Sequence, residues 1–379
     1  MNVTVELKIK KGDDGYLTRV VLNGQPLGED RLVTEIDLAT PRLLIDAIRQ
    51  LLRTPGPIER IEESTRAAGI ELFHLWLGPV WQRILPALPP AGQTTTIAVA
   101  SDSAELMLYP WETLLPPERD FLGLDLNFAI QRRALGMPPL NRCRALSPGP
   151  LRMVFMASTP EGFALPSAAW ERELFAACLP DATDPAVPRI DARMVDTGDW
   201  EALRRAIEAH QPQVIHLLGP ALIRGTQGFF AFEEPEDHQA DARASGELVR
   251  ELLRHSGAGL VILSGRETGK SPPLAATGAL CHGIIATGEF PMALAWPESL
   301  AAPEAQPFFS ALLTALASGE RVDAALTRAR RTIASTTTHA VSRPAWLLPT
   351  LYARGEQPHL FHAAFQLAHR TKWLQEKEE

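Results

Sequence analysis

The chain has 379 residues, 45% of them hydrophobic and 22% charged, and a formal net charge of −8 at pH 7. That length supports roughly two to three folding units with sizeable cores, and the composition is that of an ordinary globular protein. The acidic balance, with a pI near 5.8 and no basic block, argues against direct binding of nucleic acid.

Any pairing of the cysteines Cys143, Cys178 and Cys281 leaves one over, so a disulfide framework is excluded and a reducing compartment expected. The start, Met1–Lys10, alternates apolar and polar residues like a strand and lacks the basic head and apolar core of a signal peptide. The longest apolar stretch, Ala279–Ala295, is interrupted by His282, Glu289 and Pro291. It falls short of the roughly 20 residues that span a bilayer. The expected location is the cytoplasm, away from membranes.

Residues 1–35 read as a β-meander. Val3, Val5, Leu7 and Ile9 share one face, Lys11–Gly15 turns the chain into Leu17–Leu22, and Asn23-Gly24 is a second turn. Helical periods follow at Pro41–Arg53 and about Ile58–Leu85, the second with Phe73, Trp76 and Trp81 as packing residues. Thr95–Ala100 is a β-branched run closed by Ser101-Asp102-Ser103. Trp111, in Tyr109-Pro110-Trp111-Glu112, reads as a core anchor.

Pro138–Pro150, rich in proline, arginine and small residues, marks a boundary. Beyond it, strands and helices alternate. Strands are predicted at Leu151–Ala157, Ile190–Val195, Gln213–Leu218, Ala258–Ser264 and Met292–Pro297. Helices are predicted at Ala168–Leu179, Asp199–His210, Gly246–His255 (capped by Ser245), Gly278–Gly288, Phe308–Leu316 and Val322–Ile333, with a hairpin through Gly228–Phe232. This alternation predicts an α/β fold, a mainly parallel sheet flanked by helices and preceded by a smaller α+β unit. In such sheets the site lies past the carboxyl ends of the strands. Gly219-Pro220 and Gly265-Arg266 both stand there.

Several motifs resemble those of a known family. Leu263-Ser264-Gly265-Arg266-Glu267-Thr268-Gly269 resembles the Leu-Ser-Ala-Cys-Glu-Thr-Gly stretch of CHAT proteins, which are caspase-like and separase-like cysteine peptidases. His216-Leu217-Leu218-Gly219-Pro220-Ala221 is similar to their His-x-x-Gly-His-Gly. Pro110-Trp111-Glu112-Thr113-Leu114-Leu115 with Phe121-Leu122, the arginines Arg132-Arg133, Glu171, Ala324–Arg330 and Trp346 with Leu351-Tyr352 resemble further family segments in the same order.

The resemblance covers about 95–365. It implies a caspase-like core at 146–365, an N-terminal α+β region at 1–145 that leads into the Pro-Trp-Glu segment, and a charged tail at 366–379. It also implies that Arg266 occupies the place of the nucleophilic cysteine and Pro220 that of the general base. A guanidinium stays protonated and cannot attack a carbonyl, and proline offers no proton acceptor. The expectation is therefore a pseudopeptidase with no catalytic residues, a degenerate dyad at Pro220 and Arg266.

Its cleft would be formed by His216, Gly219, Pro220, Gly265, Arg266, Glu267, Trp296 and Glu298. The loop after Trp296 would line a groove for an extended peptide. Arg266 could pair with Glu267 or with a partner's carboxylate and close the site. The partner expected is a protein or peptide segment, an active CHAT protease or an effector, in a bacterial defence or cell-death system. In this reading the chain is a binding, scaffolding or regulatory subunit.

Other chemistries weigh less. His216, inside an apolar strand, reads as a structural histidine rather than a relocated base. Cys281 and His282 are helix neighbours about 100° apart and cannot form a dyad together. Ser264 could face the cleft, yet Pro220 supplies it no base. An active cysteine peptidase with displaced groups, rearranged by a partner, remains the second reading.

A third is a nucleotide site at 264–271, where Ser264–Ser271 nearly matches G-x-x-x-x-G-K-[ST] with Lys270 and Ser271 in place. Ser264 replaces its first glycine, and Pro272-Pro273 falls where the supporting helix must run. No cofactor is expected. No metal is expected either, since the histidines are scattered. The run Glu233, Glu234, Glu236 and Asp237 reads as a solvated loop.

Overall fold

The computed structural model describes residues 3–54, 56–90, 92–138, 140, 150–163, 166–180, 189–265, 275–298, 300, 302–336, 341–355 and 360. It divides into two compact units, Met1–Met137 with Leu326–Leu351, and Pro138–Ala325 with Tyr352–Glu379.

The first unit opens with β1 (Thr4–Gly12), β2 (Gly15–Leu22), β3 (Gln25–Pro26) and β4 (Arg31–Val33). β1 and β2 pair antiparallel, and β2 also pairs with β3 and β4. Asn23 and Gly24 both take positive φ, 50° and 83°, the conformation a two-residue hairpin turn needs. Helix α1 (Glu35–Arg53) follows, then β5 (Gly56–Pro57), α2 (Ile58–Trp76), α3 (Gly78–Ile84), β6 (Thr95–Ser101), α4 (Ala104–Met107) and β7 (Phe128–Ala134). β1 pairs parallel with β6, and β6 with β7. Val5, Leu7 and Ile9 bury one face of β1 against Trp76, Trp81 and Trp111.

Two predicted helices needed correction. α1 starts a turn and a half before Pro41. The Thr34 hydroxyl accepts from the Asp37 amide and the Asp37 carboxylate accepts from the Thr34 amide, a reciprocal cap that fixes the start. Pro41 sits inside the helix and leaves the carbonyl of exposed Asp37 to solvent. The period from Ile58 to Leu85 is two helices, because Gly78-Pro79 stops α2 at Trp76 and opens α3.

The second unit contains β8 (Leu151–Ala157), α5 (Ala168–Cys178), β9 (Ile190–Val195), α6 (Trp200–His210) and β10 (Val214–Leu218). β11 (Ala221–Arg224), β12 (Gln227–Glu233) and β13 (Ala240–Ala244) come next, then α7 (Ser245–Leu248), a π turn (Val249–Leu253) and α8 (Arg254–Ser256). β14 (Leu260–Ser264), α9 (Ala275–Ala286), β15 (Met292–Trp296) and α10 (Ala305–Ala317) complete the core. Within it the strand order is β9-β8-β10-β14-β15, every pair parallel. This is the expected α/β class, a mainly parallel sheet flanked by helices and consistent with a caspase-like fold.

The chain then runs through α11 (Val322–Thr336), β16 (Val341–Ser342) and β17 (Thr350–Ala353). Among the described residues, no helix is long and apolar enough to cross a membrane.

Two details of the second unit differ from the sequence reading. The hairpin through Gly228–Phe232 belongs to a three-stranded antiparallel sheet, β11-β12-β13. Ser245 does not cap the following helix. It is the first helical residue, and its hydroxyl is turned towards Gly283 of α9, where an added Cβ would lie 2.2 Å from it.

Candidate functional site

The parallel register of β10 and β14 sets Val214 opposite Leu260 and Leu218 opposite Ser264. The residues that leave the two strands, Gly219 and Gly265, therefore emerge at the same level. Gly219 donates its amide to the Ser264 carbonyl at 2.9 Å. Gly265 has φ +135°, and a Cβ there would stand 2.1 Å from the Gly219 carbonyl oxygen. Any side chain at 265 would thus be both strained and obstructed. A Cβ on Gly219 would meet the Phe230 ring at 2.8 Å.

The exit of β15 reaches the same place. The Gly265 amide donates to the Glu298 carbonyl at 2.9 Å, with the Trp296 carbonyl at 3.3 Å. Trp296 is fully buried, stacked on Phe308 with ring centroids 4.6 Å apart, and Glu298 is half-buried. Pro220 is buried too, and its carbonyl accepts from Ala231 of β12 at 3.1 Å. The structure brings together His216, Gly219, Pro220, Gly265, Trp296 and Glu298. Arg266 and Glu267 lie outside the described residues, as do Lys270 and Ser271 of the phosphate-loop reading. The Gly265 amide of that loop is already engaged by Glu298.

Under this convergence lies a pair that the sequence does not connect. His216 Nε2 and Ser264 Oγ are 2.6 Å apart. Parallel pairing sets Ser264 opposite Leu218, two residues past His216, and side chains two apart on a strand share a face. That register was the signal available, but it needs the knowledge that β10 and β14 are neighbours.

The imidazole packs edge-on to Phe155 and Phe175 and stacks on Phe309, with centroids 5.0, 5.3 and 5.0 Å away. Burial pushes its pKa down to about 3, so the ring is neutral at physiological pH. Nδ1 finds no hydrogen-bond partner among the described residues. Ser264 was expected as a residue that could face the cleft. It is 2% exposed, because its hydroxyl turns inward to the histidine.

Neither described thiol is poised for attack. Burial pushes Cys178 up to about 12 and holds Cys281 well above the ordinary thiol range; Cys143 lies outside the described residues. His282, next to Cys281, is lowered by burial and faces Tyr352 edge-on at 6.4 Å. No group of three or more His, Cys, Asp or Glu side chains suited to a metal occurs among the described residues.

Three contacts that support the site were not expected. Glu171 on α5 is buried and accepts from the Leu300 amide at 3.1 Å, tying the loop after Trp296 to that helix. Ser158, just past β8, donates to the Ala231 carbonyl at 2.9 Å. Glu233, read as part of a solvated run, is half-buried and accepts from the Thr159 amide at 2.6 Å; Glu234, Glu236 and Asp237 are exposed as expected.

A family model described as the CHAT domain matches residues 66–369. The chain belongs to the CHAT domain family. The match begins inside α2, upstream of the 95 expected from motifs, and takes in the whole of the converging strand ends. Comparison with curated proteins gives no match. The CHAT assignment relates the fold to caspase-like peptidases.

Proposed function

We propose that this CHAT protein is a pseudopeptidase, a polypeptide-binding or regulatory subunit that does not cleave what it binds. One observation carries the reading. The register of β10 and β14 pairs Leu218 with Ser264, and two residues further along each sequence, where the family resemblance expects the base and the nucleophile, stand Pro220 and Arg266. Thiol catalysis needs a thiolate beside an imidazole with an amide aimed at the oxyanion. The described residues offer two buried thiols with raised pKa values and, beside Ser264, a buried neutral histidine. The Gly265 amide is occupied by a carbonyl. What persists is the frame: glycines in close approach and a tryptophan-anchored loop.

In this reading the occupant is an extended peptide, or a segment of an active CHAT protease or effector in a bacterial defence system. The test pairs the native chain with Pro220→His/Arg266→Cys. Both are incubated with an unstructured protein substrate and with a thiol-directed peptidyl chloromethyl ketone. The native chain is expected to leave the substrate intact and unlabelled, and the double variant to gain labelling at position 266. Cleavage by the native chain that one substitution in the pocket abolishes would refute the reading.

The 2.6 Å contact between His216 and Ser264 favours a second reading, a hydrolase with displaced serine and histidine. The pair has the spacing of an activated nucleophile. Against it stand the burial of both side chains and the lack of an orienting acceptor on Nδ1 among the described residues. Stoichiometric reaction of Ser264 with a fluorophosphonate, lost in Ser264→Ala, would establish this second reading.

A further inference from the structure

Strand β9 ends its sheet. Among the described residues it pairs with β8 alone, in parallel. The Leu151 amide donates to the Arg189 carbonyl, so Arg189, Asp191 and Arg193 turn their backbone groups towards β8. In a strand the neighbours must turn the other way. Ile190, Ala192 and Met194 therefore present their amides and carbonyls to the open side. Natural edges of this kind are usually blunted by proline, a bulge or an inward charge. β9 has neither proline nor bulge and runs in unbroken register with β8; its charges, Asp191 and Arg193, are of opposite sign and lie on the exposed face.

The side chains say which strand would fit. Ile190, Ala192 and Met194 are half-buried, whereas Asp191 and Arg193 are exposed. Met194 is paired with Phe155, whose ring stacks on Phe175 of α5, so the apolar trio lies on the α5 face. Asp191 lies near His210 of α6, 3.9 Å from its Nε2, and therefore shares the α6 face with Arg193. Arg193 has no ion-pair partner among the described residues.

Read backwards, Ile-Asp-Ala-Arg-Met becomes Met-Arg-Ala-Asp-Ile. Size class is kept and each acid is exchanged for a base. Laid antiparallel on its own copy about Ala192, β9 sets Asp191 opposite Arg193 of the second copy, and Arg193 opposite its Asp191. Ile190 meets Met194, and Ala192 meets Ala192. The outward backbone groups of Ile190, Ala192 and Met194 are the ones that exchange hydrogen bonds in that register. The charged residues fall at the positions between, where cross-strand side chains approach most closely. A two-fold axis demands such a self-complementary patch.

We propose that β9 is a self-association edge, through which two copies of this chain join their core sheets antiparallel across a two-fold axis at Ala192. The occupant is a second copy of this chain. The charge pattern selects it over an unrelated strand, because a one-residue slip would reverse the apolar face and a two-residue slip would set Arg193 opposite Arg193 or Asp191 opposite Asp191.

The test uses the full chain in sedimentation velocity, from about 1 μM to about 300 μM, a range that brackets ordinary weak dimers. The wild type should show a concentration-dependent dimer. Arg193→Asp and Asp191→Arg should each weaken it by roughly tenfold or more, since both cross-strand pairs become like-charged. The combined swap Asp191→Arg/Arg193→Asp should restore it. Ala192→Pro removes a donor on the open side only and should abolish the dimer while circular dichroism and melting stay native.

Ala192→Cys gives an independent reading, because facing Cα atoms about 5.5 Å apart are within disulfide range. It should form a reducible crosslinked dimer under mild oxidation. A chain monomeric throughout, or a dimer indifferent to Ala192→Pro and to both charge reversals, would overturn the proposal. So would failure of the swapped pair to recover.

Discussion

Glu112 and Arg330, 218 positions apart, meet with Oε1 and Nη2 at 2.9 Å in the interior of the first unit, neither side chain exposed. Arg132 completes a triad, gripping both oxygens of the same carboxylate at 2.7 and 3.0 Å. Glu112 belongs to the Pro-Trp-Glu segment, Arg132 to the following strand and Arg330 to α11. Family motifs scattered through the sequence thus converge on one buried charge network, and their role here is architectural. The guanidiniums also donate to the carbonyls of Met107, Tyr109 and Pro349, so much of the desolvation is offset by hydrogen bonds.

Removing the centre of this triad should be severe. Glu112→Gln leaves two buried guanidiniums without a counter-ion and should cost about 3–5 kcal/mol in urea denaturation. Arg204→Ala removes exposed pairs with Glu201 and Glu208 and should leave the midpoint unchanged. Burial alone would raise the Glu112 carboxyl, but Arg132 and Arg330 hold it below the ordinary range. Its contribution is therefore fully present above the unfolded value of about 4.3. It is lost as pH falls through the lowered folded value, and Glu112→Gln should lose that acid limb.

His216 predicts a second pH signature of different origin. Its folded pKa is about 3, below the unfolded value of about 6.5. Between those values the unfolded chain binds a proton that the folded chain refuses. Stability is therefore complete above the unfolded value and falls as the pH drops. At pH 5 the loss from this residue is about 2 kcal/mol. Denaturant titrations from pH 7.5 to 4.5 should show a steeper decline for the wild type than for His216→Phe, whose ring the surrounding phenylalanines can accommodate.

The hydrogen bond itself can be tested separately. Ser264→Ala strips His216 Nε2 of its hydrogen-bond partner among the described residues and should cost about 1–3 kcal/mol, the penalty of an unsatisfied buried group. The double variant Ser264→Ala/His216→Phe should recover part of that loss, because two apolar groups then replace two polar ones. A strictly additive pair of changes would show that the contact contributes nothing of its own.

Much of this architecture is legible in the sequence, for physical reasons that also mark where legibility stops. β8 and β9 match their predicted limits because each is a short apolar or alternating run with clear ends, and local pattern is all that a strand requires. α1 was misjudged because proline is read as a helix opener, whereas the cap at Thr34 and Asp37 outweighs it. The approach of Gly219 and Gly265 follows from strand pairing, so the motifs name these glycines while their geometry waits for the register. The bond between His216 and Ser264, and the triad around Glu112, join residues far apart in sequence whose partners no local pattern names. Gly265 reads as an ordinary loop glycine until the Gly219 carbonyl is seen against it.

That glycine contact gives a test of the frame alone. Gly265→Ala places a methyl 2.1 Å from the Gly219 oxygen at φ +135°. It should destabilise the chain by at least about 2–3 kcal/mol, from backbone strain and forced separation of the two strand exits. The damage should concentrate at the strand exits. Hydrogen exchange should quicken at the amides of Gly219 and Gly265, which bond to Ser264 and Glu298. Those of β6 and β7 in the first unit should keep their protection until global unfolding.

Thiol chemistry tests whether either described cysteine can act as a nucleophile. Nucleophilic attack requires thiolate, and burial disfavours it at both described cysteines, since a desolvated anion without a cationic neighbour is costly. Cys281 is fully buried in α9 and Cys178 is 1% exposed, its Sγ donating to the Leu174 carbonyl at 3.3 Å. At pH 7.5, iodoacetamide followed by peptide mass spectrometry should therefore leave both unmodified in the folded chain and label both in urea. In Arg266→Cys the introduced thiol should react under native conditions if, as proposed, position 266 belongs to an open cleft. Rapid native labelling of Cys281, with a rate that rises at a pKa near or below 7, would mean that this thiol is activated and that the inactive reading is wrong.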